Sequence, residues 1–295
     1  MTRGREISDR LTTSWMFASG SLVLVLPLAM AAGLLLKSLP ILATSSLREL
    51  VLSTAWRPAE GAFGFAPFIV GSLVVTLLAM LLSAPQSVLI ALHLTQHASS
   101  RTIRAVQPAV DVLAGIPSVV YGAWAILVIV PIVHSLSHLA GVEGSGYSVA
   151  AAAIVLAAMT IPYMVNLLVE VFRTVPIELK EAAASLGATS WEVTKHVVVR
   201  RCLAGIIASF ALSLSKAFGE TIAVLMVVGN VAVIPSSVFD PGYTLPALIA
   251  NNYGEMMSIP RYDAALMLGA FLLLVIVSLF NIAARTLIFK TEQGT

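Results

Sequence analysis

The chain has 295 residues, 58% of them hydrophobic and 11% charged, with a formal net charge of +2. Soluble domains carry about 25% charged residues, so a solvated globular surface is excluded, and so small a net charge gives nucleic acid no electrostatic footing. The single cysteine, Cys202, excludes an internal disulfide and a thiolate metal cluster.

A bilayer core of about 30 Å needs roughly 20 apolar residues per helix. Six stretches qualify, at about 15–36, 67–94, 109–133, 148–172, 203–229 and 264–289. The predicted fold class is therefore all-α integral membrane, with six transmembrane helices forming one domain over 15–295 behind a short tail, 1–14. The first span follows Arg3, Arg5 and Arg10, and its "LAMAAG" (28–33) has the form of a signal-peptidase site. Its apolar core is longer than a signal segment and five more spans follow, so it is read as an anchor. Pro85 and Pro162 fall inside the second and fourth spans, where neighbouring helices or hydroxyls can satisfy the freed carbonyls. Kinks are expected there.

Lysine and arginine placement sets the orientation. With the N-terminus inside, the inner segments hold Arg3, Arg5, Arg10, Arg101, Arg104, Arg173, Lys180, Lys195, Arg200, Arg201, Arg285 and Lys290. The outer segments hold only Lys37, Arg48, Arg57 and Arg261. Both termini are expected on the cytoplasmic side.

Polar intruders occur early in the chain order. His93 with His97, and His134 with His138, are i, i+4 pairs at span ends. No third ligand stands near either, so they read as interfacial, with no metal site. Asp111 opens the third span and Glu170 closes the fourth, where both can snorkel to water. Asn166, one turn before Glu170, can hydrogen-bond across helices.

The inner loop 173–202 reads "RTVPIELKEAAASLGATSWEVTKHVVVRRC". Pro176 suits a first helical turn, and Glu178 and Glu181 lie toward the positive end of that helix dipole. Leu179, Ala182, Ala183 and Leu186 form an i, i+3, i+4, i+7 stripe. Gly187 is placed as a C-terminal cap, and Thr189 with Glu192 forms a capping box for the next helix.

The fifth span contains "LSKAFGET" (214–221), with Lys216 and Glu220 four residues apart. On an unbroken helix they point about 40° from one another. An unpaired charge at the bilayer centre costs at least about 2.5–3.5 kcal/mol. Two readings follow: Lys216, Glu220 and the adjacent Thr221 line a translocation route, or Lys216 and Glu220 form a structural ion pair. The outer loop 230–263 carries a short amphipathic segment from Thr244, readable as an interfacial helix or a partner-docking one. No G-x-x-x-x-G-K-[ST] occurs, so any ATP must be bound by another polypeptide. No nucleophile–base–orienter set is visible, so the chain is not read as an enzyme.

"EAAASLG" (181–187), followed ten residues later by "VVVR" (197–200), resembles the EAA loop of ABC importer permeases. The MetI-like fold of that family, with its cytoplasmic coupling helix, is what the resemblance implies. It assigns ATPase coupling to Glu181, Ala182, Ala183 and Gly187. Arg200 stands where the family has proline.

"AGIPSVVYGAWAILVIVP" (114–131) is similar to the permeases of phosphate importers. "PFIVGSLVVTLLAMLLSAPQSVLIAL" (67–92), "LGATSWEVTKHVV" (186–198), "KAFGETIAVLMVVGN" (216–230) and "TLPALIANNYGEM" (244–256) resemble the PstC type specifically. Lys216 replaces that type's arginine, which keeps the charge and loses the bidentate fork.

The resemblance implies an inner-membrane subunit forming half of a heterodimeric pore for inorganic phosphate. Its implied partners are a second, PstA-like permease, a cytosolic ATPase dimer that holds ATP and Mg, an extracytoplasmic phosphate-binding protein and membrane lipid. The chain itself would bind no cofactor. Alternatives are a permease for sulfate, molybdate or another oxyanion, a stand-alone ion-coupled secondary transporter, and a phosphate-sensing regulatory protein.

Overall fold

The computed structural model describes residues 2–254 and 260–293, with backbone alone for 2–10 and 291–293. Of the segment expected to continue from Thr244, residues 255 and 256 lie outside the described range. The chain begins with one long helix, α1 (Thr2–Leu42), so the expected tail is its first turns. After α2 (Leu47–Leu52), a two-stranded hairpin pairs β1 (Trp56–Arg57) with β2 (Ala62–Phe63), antiparallel. Helix α3 (Ala66–Leu92) runs through Pro85 and ends in a π-helical turn, His93–His97.

The expected third span, 109–133, is instead divided among α4 (Ser100–Gly115), α5 (Ser118–Leu127) and α6 (Ile129–Leu139). Helices α4 and α5 meet at 95°. The cause is local: Pro117 cannot donate a backbone N–H and forces Ile116 into extended backbone. Tyr121 Oη donates to the Leu113 carbonyl in the last turn of α4 (2.9 Å), which also accepts from Ile116 N–H.

Helix α7 (Val149–Arg173) passes through Pro162 unbroken. The loop segment 173–202 then forms α8 (Ile177–Ser185), α9 (Ser190–Glu192) and a π-helical stretch, Val193–Val199. The expected fifth span, 203–229, is also interrupted, into α10 (Leu203–Phe218) and the single turn α11 (Ile222–Leu225). Helix α12 (Leu245–Asn252) and the long α13 (Pro260–Gln293) complete the chain.

Among the described residues, four helical stretches are alone long and apolar enough to cross a membrane: Leu11–Leu42, Ala66–His97, Val149–Arg173 and Pro260–Lys290. Counting Ser100–Gly115 with Ser118–Leu127, and Ser190–Val199 with Leu203–Phe218, as one bent span each makes six.

Helix α7 lies at the centre of the packing. Its Ala151, Ala152, Ala153 and Ala157 are buried, and such small side chains let neighbouring helix backbones approach. One apolar cluster joins Val75 and Ala79 of α3 to α5, α7 and α11. Another, nearer the 173–202 loop, joins Leu92, Met164, Leu168, Phe172 and Val198. A third sits at the opposite end, where Phe65, Phe68, Leu245 and Leu248 meet the first turns of α13. There Trp56 makes edge-on contacts with Phe63, Phe65, Phe68 and Tyr262, an arrangement favoured by the ring quadrupole. Helix α1 packs on α13 and is otherwise almost wholly exposed.

The long loop after α11 is fastened to the helices rather than draped over them. The N–H groups of Val149 and Ala150, orphan donors at the start of α7, reach the carbonyls of Asp240 and Val238. Ser72 Oγ donates to the Phe68 carbonyl and accepts from Leu245 N–H, both at 2.8 Å. Beside it, a β-carbon on Gly71 would stand 2.3 Å from the Tyr243 carbonyl oxygen. Gly71→Ala should therefore destabilise the protein by about 1–3 kcal/mol, the range for overpacking. A lower thermal midpoint in detergent checks this, and an unchanged midpoint would show that the loop is not clamped there.

Candidate functional site

Two regions bring polar or exposed apolar groups to places where packing does not require them. The first is the loop between α7 and α10. Arg173 ends α7, and Pro176 fixes the entry to α8. Helix α8 has no buried residue. Of the apolar stripe, Leu179, Ala182 and Leu186 are exposed and Ala183 is half-buried, and Leu186 reaches 90% exposure. Ile177 and Trp191 extend this apolar surface.

Gly187 takes the left-handed conformation, φ 88°, that favours glycine, and its N–H closes on the Ala184 carbonyl. The capping box is complete, with Glu192 N–H donating to Thr189 Oγ1 and Thr189 N–H donating to Glu192 Oε2. Arg200, where a proline was expected, continues in helical backbone.

The loop is anchored to the end of α3 through α8, α9 and the π-helical stretch. Lys180 Nζ donates to Gln96 Oε1 (2.9 Å), and the His97 ring contacts Thr194 Oγ1 (3.3 Å) and Ser190 Oγ (3.5 Å). A cavity of about 340 Å³ opens between these elements, with Lys180, Glu181 and Thr194 in its wall. Glu181, Ala182, Ala183 and Gly187 thus sit together on one projecting turn-and-helix.

The second region surrounds "LSKAFGET", and here the assumption of a shared helix face fails. Helix α10 stops at Phe218, with Gly219 as its cap, so Lys216 lies in the last turn and Glu220 beyond it. Among the described residues the ion pairs are Arg57–Glu60 and Arg173–Glu170, so Lys216 and Glu220 are not paired with each other. Lys216 is exposed, and its Nζ sits 4.0 Å from the centre of the Tyr163 ring on α7, a cation–π contact. Its charge also complements the C-terminal end of the α10 dipole.

Glu220 is half-buried and its Oε1 accepts from Ala223 N–H (3.3 Å), which starts α11. With Ser72, Thr76 and Thr244 it lines a cavity of about 10 Å³, close to the space of one water. Thr221 Oγ1 donates back to the Gly219 carbonyl (3.2 Å).

A third polar group was scattered in the sequence. Asp111 is exposed, as a snorkelling carboxylate would be, and its Oδ1 also accepts from Asn166 Nδ2 (2.9 Å). Gln107, one turn away on α4 and not singled out from the sequence, donates through Nε2 to Asn166 Oδ1 (3.0 Å) and Asp111 Oδ1 (3.4 Å). The i, i+4 spacing of Gln107 and Asp111 was the available signal. His134 and His138 pack on each other, with His134 edge-on against His138 and its Nδ1 2.6 Å from the Gly144 carbonyl. Among the described residues no three metal-ligating side chains come together.

Residues 87–293 match the family described as "Binding-protein-dependent transport system inner membrane component". The chain is 36% identical over 256 residues to "Phosphate transport system permease protein PstC" of Xylella fastidiosa (strain 9a5c), covering 82% of this chain and 78% of that protein. It is 31% identical over 312 residues to the protein of the same name from Haemophilus influenzae (strain ATCC 51907 / DSM 11121 / KW20 / Rd), covering 99% and 98%.

Among solved structures, a bacterial ABC transporter involved in import of the acidic polysaccharide alginate aligns with a TM-score of 0.63 at 13% identity, over 97% of this chain and 99% of that one. An inward-facing form of the MetNI methionine ABC transporter aligns at 0.55 and 19% identity, over 75% and 91%. At these identities the likeness concerns the fold.

Proposed function

The chain belongs to the family of binding-protein-dependent transport system inner membrane components, and from that premise we propose that it is the PstC-type permease subunit of an ATP-driven importer of inorganic phosphate. The names of its relatives support the cargo. The observation that carries the reading is α8, a capped helix between two membrane-spanning elements with an apolar stripe and no buried residue. Such a surface needs a partner to cover it.

That partner is a cytosolic ATPase, which binds the ATP and Mg. Helix α8 sits in its surface through Glu181, Ala182, Ala183 and Gly187 and carries its closure to α7 and α10. A second, PstA-like permease completes the pore, and an extracytoplasmic binding protein delivers phosphate. The 173–202 loop and both termini face the cytoplasm, as the lysine and arginine distribution supports. The chain itself performs no catalysis.

Lys216, Glu220 and Thr221 line the route. Lys216 attracts the anion, and Glu220 keeps it from binding too tightly to leave, which is the balance conduction requires.

The test is uptake of radiolabelled phosphate into proteoliposomes holding this chain with its partner permease and ATPase. The binding protein is placed outside, and ATP inside or omitted. ATP-dependent uptake that excess sulfate and molybdate do not compete is the expected result. Uptake by this chain alone, driven by an ion gradient without ATP, would overturn it.

A further inference from the structure

The polar groups on α7 are not scattered. Tyr163, Asn166 and Glu170 lie at i, i+3 and i+7, one stripe along the helix. Lys216 rests on Tyr163 at one end of the stripe, and Glu170 pairs with Arg173 at the other (3.1 Å). Asn166, between them, is bound to Asp111 and Gln107 of α4.

Depth makes this costly. Ile161 is the middle residue of α7, and Asn166, five residues on, is about 7–8 Å along the axis from it. The hydrocarbon core extends about 15 Å either side of its centre. If α7 crosses as its length and apolarity imply, Asn166 lies at that depth, and Asp111, whose side chain is exposed on the surface of this chain, is bound to it there. Ionisable groups there mark substrate or ion pathways by default.

The pairing is also incomplete in one sense only. Asp111 takes its hydrogen bonds at Oδ1, and its Oδ2, on an exposed side chain, is open to solvent or to a ligand. Gln107 Oε1 is buried and has no partner among the described residues. The buried orphan and the open carboxylate oxygen are both acceptors, so the cluster suits a donor of hydrogen bonds.

We propose that Gln107, Asp111 and Asn166 form a second station on the translocation face, binding the hydroxyl side of a protonated oxyanion after Lys216 has taken its charge. The inference rests on the phosphate-importer reading above. Phosphate near neutral pH carries at least one O–H, which Asp111 Oδ2 or Gln107 Oε1 can accept. Sulfate at that pH carries none and would meet only repulsion from Asp111. A station built of acceptors therefore favours a cargo that brings its own proton, as a polar site favours the ligand that satisfies it. The spacing suits a hand-over, since Tyr163 and Asn166 are one turn, about 5 Å, apart.

The test measures phosphate moved per ATP hydrolysed in proteoliposomes of the complete complex with its binding protein. Asp111→Asn keeps an acceptor oxygen for Asn166, so a role confined to holding α4 against α7 predicts the wild-type ratio. The station predicts a ratio at least about tenfold lower, with ATP hydrolysis still stimulated by loaded binding protein, and partial recovery in Asp111→Glu. Gln107→Met, which removes the orphaned acceptor and the two Nε2 bonds but leaves the Asp111–Asn166 bond, should lower the ratio severalfold with ATP hydrolysis still stimulated by loaded binding protein, and decides the matter if Asp111→Asn does not assemble. A wild-type ratio in assembled Asp111→Asn, or in Gln107→Met where only that variant assembles, overturns the proposal. Absence of ATP-dependent phosphate uptake by the wild-type complex would instead overturn the functional reading beneath it.

Discussion

Leu186→Asp should separate this subunit from its ATPase. The side chain is 90% exposed at the end of α8, so the substitution removes no contact within the chain and the thermal midpoint should stay where it is. What changes is the surface offered to the partner. Truncating a central apolar anchor in an interface costs about 2 kcal/mol or more, roughly a 30-fold loss of affinity. A carboxylate adds the penalty of burying an unpaired charge. Co-purification of the ATPase should be lost, and ATP-driven uptake should fall at least 30-fold by that conversion, whereas Leu186→Met should behave as wild type. Normal stoichiometry and uptake in the aspartate variant would mean that the partner docks elsewhere.

Glu220→Gln should stop transport and leave the complex intact. Glutamine retains an oxygen to accept from Ala223 N–H, so the start of α11 is preserved. Only the charge goes. A half-buried carboxylate in an apolar span, with no ion partner among the described residues, needs water or another polar group, because desolvation alone would cost about 2.5–3.5 kcal/mol. Removing it should cost no stability and should lower uptake at least tenfold, about 1.4 kcal/mol in the limiting barrier. Normal uptake by a well-assembled variant would refute a pathway role for this residue.

The sequence made some of this legible and concealed the rest for physical reasons. Long apolar runs fixed where α1, α3, α7 and α13 lie, since nothing but membrane accommodates them. The 173–202 loop was readable because Pro176, Gly187 and the Thr189–Glu192 box act locally, each on its own few residues. The bends were not read from hydropathy. Pro117 and Gly219 sit in stretches apolar enough to average out, although each is a known breaker of regular helix.

The Lys216–Glu220 pairing failed for the same reason, because its 40° separation presupposed a helix that Gly219 ends. The cross-helix partners of Asp111 and Lys216 were beyond reach. Asn166 is 55 residues from Asp111 in sequence, and Tyr163 and Lys216 meet only through the packing of α7 with α10.

Helix α7 also has a mechanical consequence. Its first N–H groups are tied to the loop carbonyls at 238 and 240, and three residues beyond its last turn the chain enters α8. It is thus a connecting rod about 37 Å long with a fitting at each end. A tilt of about 10° around its middle swings the two ends roughly 3 Å in opposite directions, by the geometry of a rod of that length. One displacement of this helix would therefore be felt at both of its ends.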